Sequence, residues 1–195
     1  FLIFAARRIA PWRLALLPVW VAMMIGYRAG LYDRTILKTA GMKLMVGKVR
    51  IATLQEVGRE FADRRVADDG LMPATLALLE EDRRQGARIA IATAAFEFYA
   101  AAFAKHLDID TVIGTRWDGR SIVGGNCYGE TKLARVRAWT AEQNHQLEDA
   151  EFRFVSDSFA DAPLLDLADE PIFISASSRK REKAKARGWR IISAD

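Results

Sequence analysis

The sequence predicts a doubly wound, three-layer α/β core preceded by an all-helical segment, and three observations carry that prediction. From about Leu71 onward, short apolar runs alternate with helical stretches of ten or more residues, a pattern that calls for crossover connections and a parallel sheet. The first 70 residues show helical periodicity and little strand pattern, punctuated by Gly26, Gly30, Gly41, Gly47 and Gly70. Two of the later apolar runs stop on chemistry-bearing residues, one at Thr93 and one at Asp157, as strands do where an open sheet presents its carboxyl edge to a ligand.

The elements follow in order. Leu14 to Tyr27, bracketed by Arg13 and Arg28, is an apolar stretch of 14 residues interrupted by Pro18. It is shorter than the roughly 20 residues that span a bilayer. Arg7 and Arg8 follow the apolar start instead of preceding it, which disfavours a signal peptide. The stretch therefore reads as a helix of a small helical domain, buried or brushing lipid. Pro73 opens a helix that runs through Arg84 and closes at Gln85-Gly86. Arg88 to Ala92 reads as a short buried strand ending at Thr93, followed by a helix at 97–107, a strand at 111–114 and a turn with a hairpin at 118–126. A helix over 130–143 precedes a strand at Phe152 to Val155, a turn at Ser156 to Ser158, and a helix at 162–168 with Pro163 in its first turn. A strand at 171–174, a basic helix and a last strand at 189–192 complete the chain. The division expected is a helical domain over 1–70 and an α/β core over 71–195.

Composition narrows the function. At 195 residues, 51% hydrophobic and 28% charged, the chain is a folded globular protein with room for a sizeable core. A single cysteine, Cys127, excludes an internal disulfide and the multi-cysteine zinc motifs, so a reducing cytoplasm is the expected compartment. Two distant histidines, His106 and His145, make a Ser-His-Asp hydrolase or a histidine-rich metal site a poor fit. Much of the net charge of +4 sits in Arg179, Lys180, Arg181, Lys183, Lys185, Arg187 and Arg190. Ala184, Ala186 and Gly188 make that tract read as the solvated face of a last helix, and no nucleic-acid partner is expected. No glycine-rich phosphate-binding fingerprint is present; Gly124-Gly125 reads as a turn.

Three strand ends or helix starts then carry candidate residues. Thr93, with the backbone N–H of Ala94 behind it, suits phosphate oxygens, and Lys132, at the start of the helix after Asn126-Cys127-Tyr128-Gly129-Glu130, supplies a fixed positive charge. Asp157 and Asp161 converge after the strand at 152–155, and a hard cation such as Mg²⁺ takes one or two carboxylates while keeping waters and substrate phosphate as its other ligands. Together these form the electrostatic clamp that phosphoryl transfer requires. Each also has a plain structural reading, as an N-cap for Thr93 and the acids or a surface lysine for Lys132.

This order of residues resembles the haloacid dehalogenase (HAD) superfamily, most closely its phosphoserine phosphatase-like branch. Ile91-Ala92-Thr93-Ala94 matches that family's strand ending in Ser or Thr, Gly129-Glu130-Thr131-Lys132 its lysine motif, and Asp157-Ser158-Phe159-Ala160-Asp161 its D-S-x-x-D motif. The resemblance implies a Rossmann-like core under a helical cap, with Thr93 and Lys132 as catalytic residues holding the transferring phosphoryl group and Asp157 and Asp161 at Mg²⁺. It further implies a small phosphorylated substrate, with a homodimer left open.

Ser156 stands where that family commonly has Gly. Its first motif, a D-x-D at the end of a first strand that carries the aspartate nucleophile and the general acid/base, is not matched, and no Asp precedes Asp33. The expectation is that about 15 to 20 residues with the central strand lie upstream of Phe1, that the chain by itself is inactive, and that two inner strand edges are left unpaired. The leading reading is a Mg²⁺-dependent phosphomonoesterase acting through an upstream aspartyl-phosphate. The alternative is a catalytically silent HAD-fold binding protein that contacts a membrane or macromolecule through its basic C-terminal helix or apolar cap.

Overall fold

The N-terminal region is entirely helical in the computed structural model, which describes residues 1–193; the last two residues of the unit expected over 71–195 lie outside the described residues. Helix α1 (Leu2–Ile9) leads through a 3₁₀ segment (Pro11–Leu16) into α2 (Leu17–Arg28), with Pro18 in its first turn where its missing N–H has no consequence. Helix α3 (Arg34–Gly41) is capped by Asp33, whose carboxylate accepts the Ile36 N–H at 2.8 Å. It runs on as a π-helical segment (Met42–Val46) that ends at Gly47, where φ is +82°. Helix α4 (Ile51–Asp69) follows, and α5 (Pro73–Arg84) opens on its proline.

From there strands and helices alternate: β1 (Ala90–Phe96), α6 (Glu97–His106), β2 (Thr111–Trp117), β3 (Ile122–Val123), α7 (Glu130–Glu142), β4 (Arg153–Ser156), α8 (Ala162–Leu165), β5 (Glu170–Ile174), α9 (Ser178–Lys185) and β6 (Arg190–Ile192). The sequence places all of these, but several bounds differ. Strand β1 starts at Ala90 and continues past Thr93 through Ala94 and Ala95 to Phe96, which pairs with Thr115; β2 runs on from the expected end at 114 to Trp117; and α8 is one turn shorter than expected, behind a 3₁₀ turn (Phe159–Asp161).

The strands form two half-sheets. In the first, β1 and β2 are parallel, with Ala92 opposite Ile113, and the short β3 closes an antiparallel hairpin on β2. In the second, β4, β5 and β6 are parallel, with Val155 opposite Ile172 and Phe173 opposite Ile191. Among the described residues no ladder joins β1 to β4. The halves meet through side chains instead: Leu133 and Val136 of α7, Leu147 and Leu164 form one apolar cluster against Ala90 and Ala92 of β1 and Phe154 of β4.

The helical region shares a core with the α/β part. Ala5, Ala6, Met42, Met45, Val46, Leu54 and Val57 are buried in the same cluster as Phe96 from β1, with Phe98, Tyr99 and Trp117 packed around it. Phe1 stacks on Tyr99 at 4.4 Å, and Phe61 of α4 meets Tyr99 and Phe103 edge-on. Each large side chain fully buried in this way contributes on the order of 2 to 3 kcal/mol. Helix α4 reaches α6 closely because Gly58 has no side chain: a Cβ there would lie 2.9 Å from Tyr99 Cβ and 3.0 Å from the Phe98 carbonyl oxygen.

The basic tract is largely accounted for locally. Arg187 pairs with Asp166, Arg190 with Glu170 at 2.5 Å, Arg181 donates to the carbonyls of Ser175 and Ala176, and Lys183 lies over the Phe159 ring. Among the described residues no helix is long and apolar enough to cross a membrane.

Candidate active site

A chain of polar contacts runs along the carboxyl ends of β1, β2 and β4. At β1, Thr93 Oγ1 accepts the Ala95 N–H at 3.1 Å, which leaves the hydroxyl proton available to an incoming oxygen. The ladder to β2 is irregular between Ala92 and Phe96, so the backbone at Thr93-Ala94 departs from regular pairing. The Ala94 carbonyl takes up two donors: Thr115 Oγ1 of β2 at 2.8 Å and the ammonium of Lys38, which reaches in from α3.

Lys38 is the least expected member of the site. Its Nζ also lies 3.1 Å from Thr115 Oγ1 and 3.0 Å from Asn126 Oδ1, and it sits 4.2 Å from the centre of the Phe96 ring. No carboxylate is among these partners. Burial, then the nearby Arg34 guanidinium, lowers its pKa to about 8, with Arg135 acting in the same direction and Cys127 against it.

Thr115 and Asn126 fix the loop before α7. Thr115 Oγ1 is 2.9 Å from Asn126 Oδ1 and accepts the Cys127 N–H at 3.1 Å, while the Cys127 thiol contacts the Ile113 carbonyl at 3.4 Å. Burial pushes that thiol's pKa up against the opposing pull of Arg135 and Lys132. Arg135 of α7 donates to four carbonyls, those of Gly114 in β2, of Val123 in β3 and of Gly124 and Gly125 just after it. Gly129 then caps α7 at φ +55°, a left-handed value that suits glycine, and α7 begins two residues before Lys132 with its N-terminal turn against the Ala160 carbonyl.

Lys132 closes the chain onto β4. Its Nζ lies 2.5 Å from Asp161 Oδ1, and both side chains are more than nine-tenths buried. Ser156 donates to the other Asp161 oxygen at 2.6 Å, and the Ser158 N–H donates to Ser156 Oγ at 3.1 Å. Ser156, at the position where a glycine was expected, is thus a working hydrogen-bonding residue. Asp157, at the end of β4, is exposed and makes no hydrogen bond or ion pair among the described residues.

The structure therefore brings Lys132 and Asp161 into contact and ties Thr93-Ala94 to them through β2 and α7. The two acids of the expected metal pair have different surroundings. Asp161 is taken up by Lys132 and Ser156, whereas Asp157 is open. Among the described residues no group of three or more His, Cys, Asp or Glu side chains could hold a metal. The chain does contain one literal D-x-D, Asp108-Ile109-Asp110, but it precedes β2 at the opposite end of the strand from the site. Lys38, Thr115 and Asn126 were not singled out as a cluster by the sequence, because contacts between positions so far apart leave no local periodic signal.

The chain is similar to several known proteins. The profile of the haloacid dehalogenase-like hydrolase family matches residues 1–166. A histidinol-phosphatase of Neisseria meningitidis is 27% identical over 148 residues, covering 72% of this chain and 66% of that protein. The phosphoserine phosphatase SerB1 of Mycobacterium tuberculosis is 28% identical over 148 residues, covering 72% and 47%. The chain thus spans about half to two thirds of the length of the curated relatives it matches. A crystal structure of a protein of unknown function from Bordetella pertussis Tohama I superposes with a TM-score of 0.75 at 29% identity, covering 89% of this chain and 80% of that one. A HAD family hydrolase from Salmonella enterica serovar Typhi shares the fold at a TM-score of 0.67 and 18% identity, covering 98% and 61%. With the family profile matched over residues 1–166 and the fold shared with a structure 29% identical, the chain belongs to the haloacid dehalogenase-like hydrolases.

Proposed function

We propose that the protein is a Mg²⁺-dependent phosphomonoesterase that acts on a small phosphorylated metabolite in the cytoplasm. The observation that carries this reading is the buried Lys132–Asp161 pair, held by Ser156 at the end of β4 and flanked by the open carboxylate of Asp157. Two relatives named as phosphatases of small phosphorylated compounds support it.

In this reading the Thr93 hydroxyl and the Lys132 ammonium hold phosphoryl oxygens, and Asp161 orients Lys132 while compensating its charge. Asp157 is the residue that would hold Mg²⁺, with Asp161 behind it; when bound, the cation supplies charge neutralisation for the phosphoryl group. The phosphoryl group passes to an aspartate upstream of residue 1, the leaving alkoxide is protonated by a second upstream acid, and water then cleaves the aspartyl-phosphate to inorganic phosphate. Among the described residues β1 and β4 each lie at the edge of a half-sheet with no ladder between them, which is compatible with a further strand carrying those acids.

The test is turnover of p-nitrophenyl phosphate by the full-length protein with Mg²⁺ and with EDTA. Mg²⁺-dependent release that falls at least about 100-fold in Lys132→Met supports the reading, since removing one preorganised charge contact costs of that order. A second reading, a HAD-fold binding protein without turnover, is favoured by the lack of a D-x-D at the carboxyl end of any described strand. Phosphate binding with no turnover in the full-length protein would decide for it.

A further inference from the structure

Helix α2 is apolar on every side, yet none of its residues is buried. Its half-buried side, Leu17, Trp20, Met23, Met24 and Tyr27, packs on the cap. Its outer side is Pro18, Val19, Val21, Ala22 and Ile25, all exposed and none polar. Val19 is 51% exposed and Ile25 65%, and Trp12 just before the helix is 67% exposed. Past the helix end, Leu31 and Ile36 are exposed as well. A contiguous apolar face of this kind marks a docking surface.

Charge says what docks there. Residues 1–50 contain nine Lys and Arg and a single acid, Asp33, whereas the chain as a whole carries 29 Lys and Arg against 25 Asp and Glu. The entire positive excess of the protein therefore lies in the N-terminal 50 residues that include the apolar face, and the remaining residues are net acidic. Arg28 ends α2 itself, and Lys43, whose carbonyl accepts from Arg13, lies beside the Trp12 segment; both are exposed. A second copy of the chain is a poor occupant, because a two-fold interface would set one strongly cationic cap against another. An anionic bilayer surface matches both properties, with acyl chains for the apolar face and headgroups for the cations. Trp12 is of the residue type that settles at the boundary between them.

We propose that the outer face of α2, with Trp12 and the exposed cations of the helical cap, seats the protein on an anionic lipid surface. The helix is too short to span it and lies in the interfacial plane. This seating is independent of the phosphatase reading, since it uses none of the residues at the strand ends.

The experiment is flotation of the full-length protein with large vesicles of phosphatidylcholine, alone or mixed with phosphatidylglycerol. Partitioning onto the mixed vesicles is expected to exceed that onto neutral ones by about 10-fold or more, and to weaken as salt is raised. Val19→Asp with Ile25→Asp, both at exposed positions, is expected to lower binding by about 10-fold with the circular dichroism spectrum and melting temperature unchanged. Arg28→Glu with Lys43→Glu is expected to do the same. Trp12→Phe is expected to reduce the quenching of protein fluorescence by brominated acyl chains. The proposal is overturned if neither vesicle binds, if the Val19/Ile25 variant binds as wild type, or if the apolar face instead drives a concentration-dependent dimer that the same variant abolishes.

Discussion

Lys132 and Asp161 face each other at 2.5 Å with almost no solvent access to either side chain. Two charges removed from water together are tolerable only as a pair, and each becomes a liability once the other is gone. Lys132→Ala or Asp161→Asn should therefore destabilise the fold by about 3 to 5 kcal/mol, read from urea melts. The double change Lys132→Met with Asp161→Leu should cost less than either single change. If the single changes proved neutral, the pair would not be the buried anchor between α7 and β4 described above.

Asp157 should behave in the opposite way. Being exposed and without a partner among the described residues, it can be changed to Asn with an effect on metal-free stability within about 0.5 kcal/mol. In wild type, Mg²⁺ with inorganic phosphate should raise the melting temperature, and in Asp157→Asn that rise should vanish. Retention of the rise would remove Asp157 from the metal site.

Lys38 makes stability depend on pH in alkaline solution. Its folded pKa, about 8, lies below the ordinary 10.5, so between those values the unfolded chain binds more protons than the folded one, and the contribution of this group to stability rises with pH. Below about pH 8 both states are protonated and the burial penalty is fully present. Wild type should gain stability relative to Lys38→Met as pH goes from 8 to 10, by on the order of 1 to 3 kcal/mol. Parallel stability profiles for the two proteins would show that the ammonium is not buried as described.

Gly58→Ala tests the approach of α4 to α6. Alanine favours an exposed helix by up to about 1 kcal/mol over glycine, but here the new methyl would meet Tyr99 and the Phe98 carbonyl oxygen at about 3 Å, and overpacking costs about 1 to 3 kcal/mol. A net loss of stability is expected, largest for Gly58→Val.

The contrast between Thr93 and Lys38 shows where the sequence could be read and where it could not. Lys132 lies in the first turn of α7 and Asp157 directly follows β4, while Thr93 falls inside β1, three residues before its end, yet all three follow an apolar run or a turn that hydrophobic periodicity and turn chemistry locate. Lys38 lies in α3 with Arg34, and nothing in the sequence separates it from a solvated charge. Its role depends on Asn126 and Thr115, which are brought to it only when α3 docks on the sheet. Likewise Arg7, Lys43 and Arg190 look alike in the sequence, yet Arg190 is engaged by Glu170 while the other two are exposed. The extension of β1 through Ala94 and Ala95 was also hidden, since alanine carries no strand preference and the pair that ends the strand, Phe96 with Thr115, lies beyond them. The order of strands and helices was legible; the ends of β1 and β2 and the core shared between cap and sheet were not.

The clamp made by Arg135 has a consequence for variation among homologues. Its guanidinium holds this stretch through main-chain carbonyls, of Gly114, Val123, Gly124 and Gly125, so the clamp is indifferent to the side chains those residues carry. Val123, which is exposed, is then free to drift in evolution, while Gly124 and Gly125 are restrained by their left-handed backbone at φ +67° and +82°. Arg135 itself is not exchangeable for lysine, whose single ammonium cannot span a fork of four acceptors. The hairpin beside the site can therefore diversify in sequence without changing its shape.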